Sequence, residues 1–234
     1  HAETSTGCRT PLEEIGRLAH DSGALFLVDA VTSLGGIELK VDDWGIDAIY
    51  SGTQKCLSCP PGLSPVSFSD RAMEVIRSRR TKCQSWYLDI SMIASYWGED
   101  RMYHHTAPIS MVYALRESLR LVREEGLEAR IARHAAMHQR LKAGLERLGG
   151  YEFLVEEPYR LPQLNLVRFP EGVDEAAVRA RLLNDYNIEI GAGLGDFKGK
   201  VWRIGLMGES CTANHVNMLL AALEELVPSR NARS

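Results

Sequence analysis

The chain reads as an α/β protein: a partial large domain built on a mainly parallel sheet, followed by a smaller C-terminal α+β domain. Three observations predict this. Short apolar runs alternate with helical patterns through the first third of the chain. Two long amphipathic patterns occupy the middle. Past Gly149 the rhythm resets to short strands and two further helices.

The elements follow in order. "PLEEIGRLAH", Pro11 to His20, predicts a helix with proline near its start and acids in its first turn. "ALFLVDAV" is a nearly continuous apolar run and predicts a strand buried on both faces. "GIDAIYSGTQK" repeats the arrangement, and "LSPVSFS" predicts a third strand. A short helix is expected from Arg71 to Arg80. "SWYLDISMIASYWGEDRMYHHT" has no clear period and reads as a loop-rich, partly buried segment.

Ile109 to Glu125 carries Val112, Leu115, Leu119 and Val122 on one helical stripe. Leu127 to Leu148 carries Ile131, Ala135, His138, Leu141 and Leu145 on another, with Gly126 between the two. "YEFLV" and "LNLVRF" read as strands. "DEAAVRARLLNDY" is a helix with Asp174 as its N-cap. "IEIGAG" and "VWRIGL" are strands, and a last helix starts at Thr212. The order β-β-α-β-β-α places a boundary near Gly126, giving a large-domain part at 1–126 and a small domain at 127–234.

A net charge of −4 over 234 residues gives no basic footprint for nucleic acid or an anionic membrane. No apolar run approaches the roughly 20 residues of a membrane-spanning helix. Five cysteines without a framework suggest reduced thiols and a cytoplasmic setting. The opening "HAETSTG" looks like the middle of a protein.

Two residues stand out chemically. Asp29 ends an apolar run, where a carboxylate is costly unless something positive meets it. Lys55 follows the next apolar run. In open α/β sheets the carboxyl ends of strands form the ligand crevice, so both residues are placed to point into one. A structural ion pair between them, or a solvated strand end, is the plainer alternative. An acid facing a lysine across a cavity suits pyridoxal 5'-phosphate, whose aldehyde takes the amine and whose ring nitrogen takes the acid. Ser51, Thr53 and Gln54 add polar groups beside the lysine, useful near a phosphate.

The other motifs are weaker. "CLSC", Cys56 to Cys59, lacks a second ligand pair for zinc, and "PPG" blocks the helix that a redox pair needs. His134 and His138 share a helix face but lack the glutamate base of a zinc protease, which leaves a partly buried face. "GAGLG", Gly191 to Gly195, is not followed by a helix pattern, as a dinucleotide site requires. Arg203 in "VWRIGL" fits either a snorkelling edge residue or a carboxylate clamp.

"STG", "LVDAVTSLGG", "SGTQKCLSCPPGLSPVSFSDRA", "RMYHHTAP" and "VWRIGLMG" occur in that order. Together they resemble the alanine–glyoxylate and serine–pyruvate aminotransferases, class V members of the fold-type I enzymes that use pyridoxal 5'-phosphate. The resemblance implies Lys55 as the Schiff-base lysine and Asp29 as the partner of the ring nitrogen. It implies Val31 on the ring face, Thr4 near the ring and Gln54 near the phosphate. It implies that Tyr103 and Thr106 reach the cofactor phosphate of the neighbouring subunit in a homodimer, and that Arg203 clamps the substrate α-carboxylate.

The expected reaction is amino transfer from alanine or serine to glyoxylate or pyruvate. A ureidoglycine–glyoxylate aminotransferase shares much of the motif set. A cysteine desulfurase is disfavoured because Gln54 stands where those relatives have histidine. Similar proteins carry a long segment ahead of "HAETSTG", so the chain is expected to be a C-terminal fragment. Alone it is expected to bind the cofactor weakly and to be inactive, or to serve only as a folded partner.

Overall fold

The computed structural model describes residues 1–227, which form a short N-terminal hairpin, a three-stranded sheet, a four-stranded sheet and seven α-helices. The hairpin pairs β1 (Ala2–Glu3) with β2 (Cys8–Arg9). Helix α1 (Leu12–Asp21) matches the expected helix, and leads to β3 (Leu27–Asp29) and β4 (Ala48–Tyr50). These two strands are parallel, with Asp29 in register opposite Tyr50. The third strand, β5 (Val66–Phe68), joins β4 antiparallel and closes that edge.

The expectation that the first strand is buried on both faces is overturned. Val28 and Ala30 are buried, whereas Leu27 is 68% exposed and Asp29 is also exposed. One face packs on α1 through Leu12, Phe26, Val28 and Ile46. The other lies open, with Tyr50 and Val66 about half exposed beside Leu27. An unbroken apolar run does not reveal which of its faces has a partner.

Buried Asp47 organises the sheet's other end. Burial alone would raise its pKa. The Phe26 amide, the Ser69 hydroxyl and the Arg71 guanidinium outweigh that and hold the carboxyl below its ordinary range. Ser69 also caps α2 (Asp70–Arg77), which starts one residue early and stops three short of the expected span.

The segment expected to be loop-rich contains a helix, α3 (Ile90–Trp97), capped by Asp89. None of its residues is buried. Its apolar side chains surround the helix, so no stripe marks it in sequence. Helices α4 (Ile109–Glu125) and α5 (Leu127–Leu148) match the expected spans, and Gly126 separates them at φ +84°.

The second sheet runs β6 (Glu152–Phe153), β7 (Leu164–Arg168), β9 (Val201–Gly205) and β8 (Gly191–Ala192) in spatial order, all antiparallel. Helices α6 (Glu175–Tyr186) and α7 (Ala213–Leu226) carry the expected caps, Asp174 and Thr212. This reproduces the β-β-α-β-β-α order. Helices α5, α6 and α7 cover one face, through Leu141, Leu145, Leu182 and Leu223 against Val167, Trp202 and Ile204. The hairpin and the 32–37 loop meet the opposite face, where Gly7 lies against Leu164 and Leu166, and Gln163 donates to the Thr32 carbonyl.

Two sequence motifs resolve as structure. His134 and His138 are fully buried rather than partly so. His134 accepts from the Gly208 amide through Nε2, and His138 meets Asn165 at 2.6 Å. Burial lowers both imidazole pKa values. The Cys56 thiol is buried and pushed up to about 12 by desolvation, so it is a packing group and a poor nucleophile at neutral pH. Among the described residues, no helix is long and apolar enough to cross a membrane, and no side-chain cluster fits a metal ion.

Candidate active site

Asp29 is the last residue of β3, and Lys55 lies on the connection that leaves the carboxyl end of the adjacent parallel strand β4. The two connections are tied together, because the buried Ser51 hydroxyl donates to the Ala30 carbonyl at 3.0 Å. Asp29 does not pair with Lys55. Its Oδ1 accepts the Val31 amide at 2.8 Å, and its Oδ2 accepts the Tyr50 phenol at 2.6 Å. A carboxylate with both oxygens held is fixed in plane and keeps spare lone pairs for a further donor. Beside it the open sheet face forms a concavity of about 350 Å³, lined by Leu27, Asp29, Tyr50, Val66 and Phe68.

Lys55 is half-buried, and its amine has no ion-pair or hydrogen-bond partner among the described residues. Its loop, by contrast, is held at many points. The Thr53 hydroxyl donates to the Pro60 carbonyl, the Cys59 amide to the Thr53 carbonyl, and the Ser58 amide to the Lys55 carbonyl. The Ser118 hydroxyl of α4 donates to the Leu57 carbonyl. Arg130 of α5, only 1% exposed, donates to the Cys56 carbonyl at 3.0 Å and pairs with Glu125 and Glu209.

From the second sheet's side, the Glu209 amide donates to Ser58 Oγ at 2.8 Å. Gly208 sits at φ +57°, and a Cβ there would lie 1.8 Å from Ser58 Oγ and 2.8 Å from the Cys56 carbonyl oxygen, so glycine is required. Lys55 thus presents a free amine from a braced loop.

Gln54 is exposed and folds back over Gly52, where a Cβ would meet its Oε1 at 2.6 Å. The Val31 side chain is half-buried beside Asp29.

Arg203 is not an edge residue, since β9 lies between β7 and β8. Its neighbours Trp202 and Ile204 face the helices, and strand alternation turns Arg203 to the hairpin side. There its Nε donates to the Ala192 carbonyl and its Nη1 to the Thr4 carbonyl at 3.3 Å. Nη2 makes no hydrogen bond among the described residues. The missing Cβ of Gly191, which would sit 3.3 Å from Nη2, leaves space beside it. Thr4 and Arg203, far apart in sequence, are thus brought together.

Tyr103 and Thr106 stand apart from this group. Both are exposed, and Tyr103 Oη lies 2.9 Å from Thr106 Oγ1. Near them Trp86, Leu88, Trp97, Met102 and Ile109 are exposed as well. Three contributors escaped the sequence analysis: Tyr50, Ser58 and Arg130. Tyr50 is legible only once strand register is known, and the other two only once the chain is folded back on the lysine loop.

Residues 1–197 match the family model of the class-V aminotransferases. The chain is 41% identical to the (S)-ureidoglycine–glyoxylate transaminase of Bacillus subtilis, over 99% of this chain and 60% of that one. It is 45% identical to the alanine–glyoxylate aminotransferase of Callithrix jacchus, over 96% of this chain and 55% of that one. The crystal structure of alanine–glyoxylate aminotransferase from Nostoc sp. superposes with a TM-score of 0.94 at 52% identity, covering 97% of this chain and 60% of that one. The chain therefore spans little more than half the length of these relatives. With its match over most of its length, the chain belongs to the class-V aminotransferases, a family dependent on pyridoxal 5'-phosphate.

Proposed function

We propose that this chain carries the lysine, acid and arginine of an aminotransferase acting from a small amino acid, alanine or serine, to glyoxylate or pyruvate. The carrying observation is an anchored Asp29 carboxylate at the end of β3 together with an unpartnered Lys55 amine on the braced loop that follows β4. This donor set fits pyridoxal 5'-phosphate, which offers a ring nitrogen to a carboxylate and an aldehyde to an amine. When bound, the cofactor supplies an electron-withdrawing ring that makes a substrate Cα proton removable.

The chain's own groups do the rest. Asp29 holds the proton on the ring nitrogen. Lys55 would be the attachment point for the cofactor, and its amine would move the proton at substrate Cα as general base and then acid. Arg203 Nη2 takes the α-carboxylate, with Thr4 alongside. Val31 would pack on the ring and Gln54 would serve the phosphate. The exposed Tyr103–Thr106 turn serves the cofactor phosphate of a second copy, and the exposed apolar side chains around it support a homodimer contact.

Residues 1–126 act as the cofactor-binding part and 127–234 as the small domain that presents Arg203. Five free cysteines support a cytoplasmic setting. Gln54, standing before Lys55, disfavours sulfur transfer.

Adding pyridoxal 5'-phosphate to the full-length protein should produce a visible-region absorbance band that Lys55→Ala abolishes. A band that survives the substitution contradicts the lysine's role. A panel of alanine, serine and ureidoglycine with glyoxylate identifies the donor. The 234 residues alone should bind the cofactor weakly and turn over nothing, because the sheet face bearing Asp29 is open. Robust turnover by this chain alone contradicts that.

A further inference from the structure

Asp29 and Tyr50 are register partners in the parallel pair, so their side chains rise from the same sheet face. That face is open: Asp29 is exposed and Tyr50 is 48% exposed. The Tyr50 ring belongs to no buried cluster, whereas its chain neighbour Ile49 packs against Val28 and Phe26. Water could satisfy a phenol in this position. Burial therefore does not force its hydroxyl onto a protein partner. It nevertheless donates to Asp29 Oδ2 at 2.6 Å, the length of a charge-assisted bond, and this is its one side-chain hydrogen bond among the described residues. The Val31 amide holds the other oxygen.

We infer that Tyr50 is a positioning residue: its phenol fixes the plane of the Asp29 carboxylate, so that the remaining lone pairs are aimed at a protonated ring nitrogen. The inference rests on the assignment of Asp29 as the cofactor's ring-nitrogen partner. Tyr50 suits the task chemically. A carboxylate alone on a solvated strand end rotates and exchanges partners. With one donor on each oxygen it keeps its orientation, and with about four lone-pair sites in all it still has capacity for the ring. The bond to Asp29 in turn holds the Tyr50 proton above its ordinary range, so the phenol remains a donor throughout the neutral range.

The test is a double-mutant cycle on the full-length protein, read as the dissociation constant for pyridoxal 5'-phosphate. Tyr50→Phe removes only the hydroxyl. It should weaken binding about tenfold, the scale of one hydrogen bond to a charged group. In an Asp29→Asn background the same change should alter affinity less than about twofold, because Tyr50 acts through the carboxylate.

The visible absorbance band of the bound cofactor should shift in Tyr50→Phe and stay in place when the same change is made in the Asp29→Asn background, since the phenol reaches the ring only through the carboxylate. An equal effect on affinity in both backgrounds, or a band that shifts equally in both, overturns the inference. So does a silent Tyr50→Phe when Asp29→Asn weakens binding, and in that case the Asp29 assignment stands. Unchanged affinity in Asp29→Asn overturns the assignment itself and the inference with it.

Discussion

The two sheets are built from similar apolar strands yet live in opposite surroundings. In the antiparallel sheet both central strands are enclosed: Val167, Val201 and Trp202 are fully buried, with helices on one face and the N-terminal hairpin on the other. In the parallel pair β3–β4 one face is packed on α1 and the other exposes Leu27 and Tyr50. The difference teaches how duties are divided. The enclosed sheet is a rigid mount that holds Arg203 among buried neighbours. The half-open sheet keeps Asp29 on its exposed face, beside the concavity lined by Leu27, Tyr50 and Val66.

The largest expected effect is in the enclosed sheet. Trp202→Ala should cost about 3–5 kcal/mol in urea denaturation, through lost burial and the cavity it leaves. A loss below about 1 kcal/mol would mean that this sheet is no better packed than the other.

An intermediate effect sits at the junction between the two sheets. Arg133 and Arg130 hold the Glu125 carboxyl at about 2, down from 4.5. A folded pKa below the unfolded one adds stability above the unfolded value, and that stability is lost as pH falls through the folded value. The buried His134 and His138, also lowered, begin to act against folding in the same direction below about 6.5. The wild type should therefore lose stability relative to Glu125→Gln as pH drops from 4.5 towards 2. Parallel curves for the two proteins would show that the junction does not depend on this charge.

The smallest effect belongs to the open face. Leu27→Ala should change stability by less than about 0.5 kcal/mol, and it should improve solubility by removing an exposed apolar group. A cost of several kcal/mol would show that this face is covered in solution.

What sequence revealed follows this same contrast. Helices α4 and α5 and the caps Asp174 and Thr212 were legible, because periodicity and capping chemistry are local. Helix α3 was not, because its apolar residues form no stripe; Asp89 as its cap was the signal available. The β1–β2 hairpin has strands of two residues each, too short to leave a pattern.

The open face of β3 was misjudged because the run "ALFLVDAV" carries no record of what lies beyond it. In the site, Asp29 and Lys55 were visible as charged groups at the ends of apolar runs. The contact of Arg203 with Thr4 required a sheet and a hairpin to meet across the whole chain. The Tyr50 bond to Asp29 required strand register, which no local pattern encodes.

The central claim is that Lys55, alone among the chain's lysines, holds the cofactor. Borohydride reduction of the full-length protein with pyridoxal 5'-phosphate, followed by peptide mass mapping, tests it most directly. The account predicts a phosphopyridoxyl group on Lys55 at one equivalent per chain. Stable labelling of another lysine at that stoichiometry, with Lys55 recovered unmodified, would contradict it.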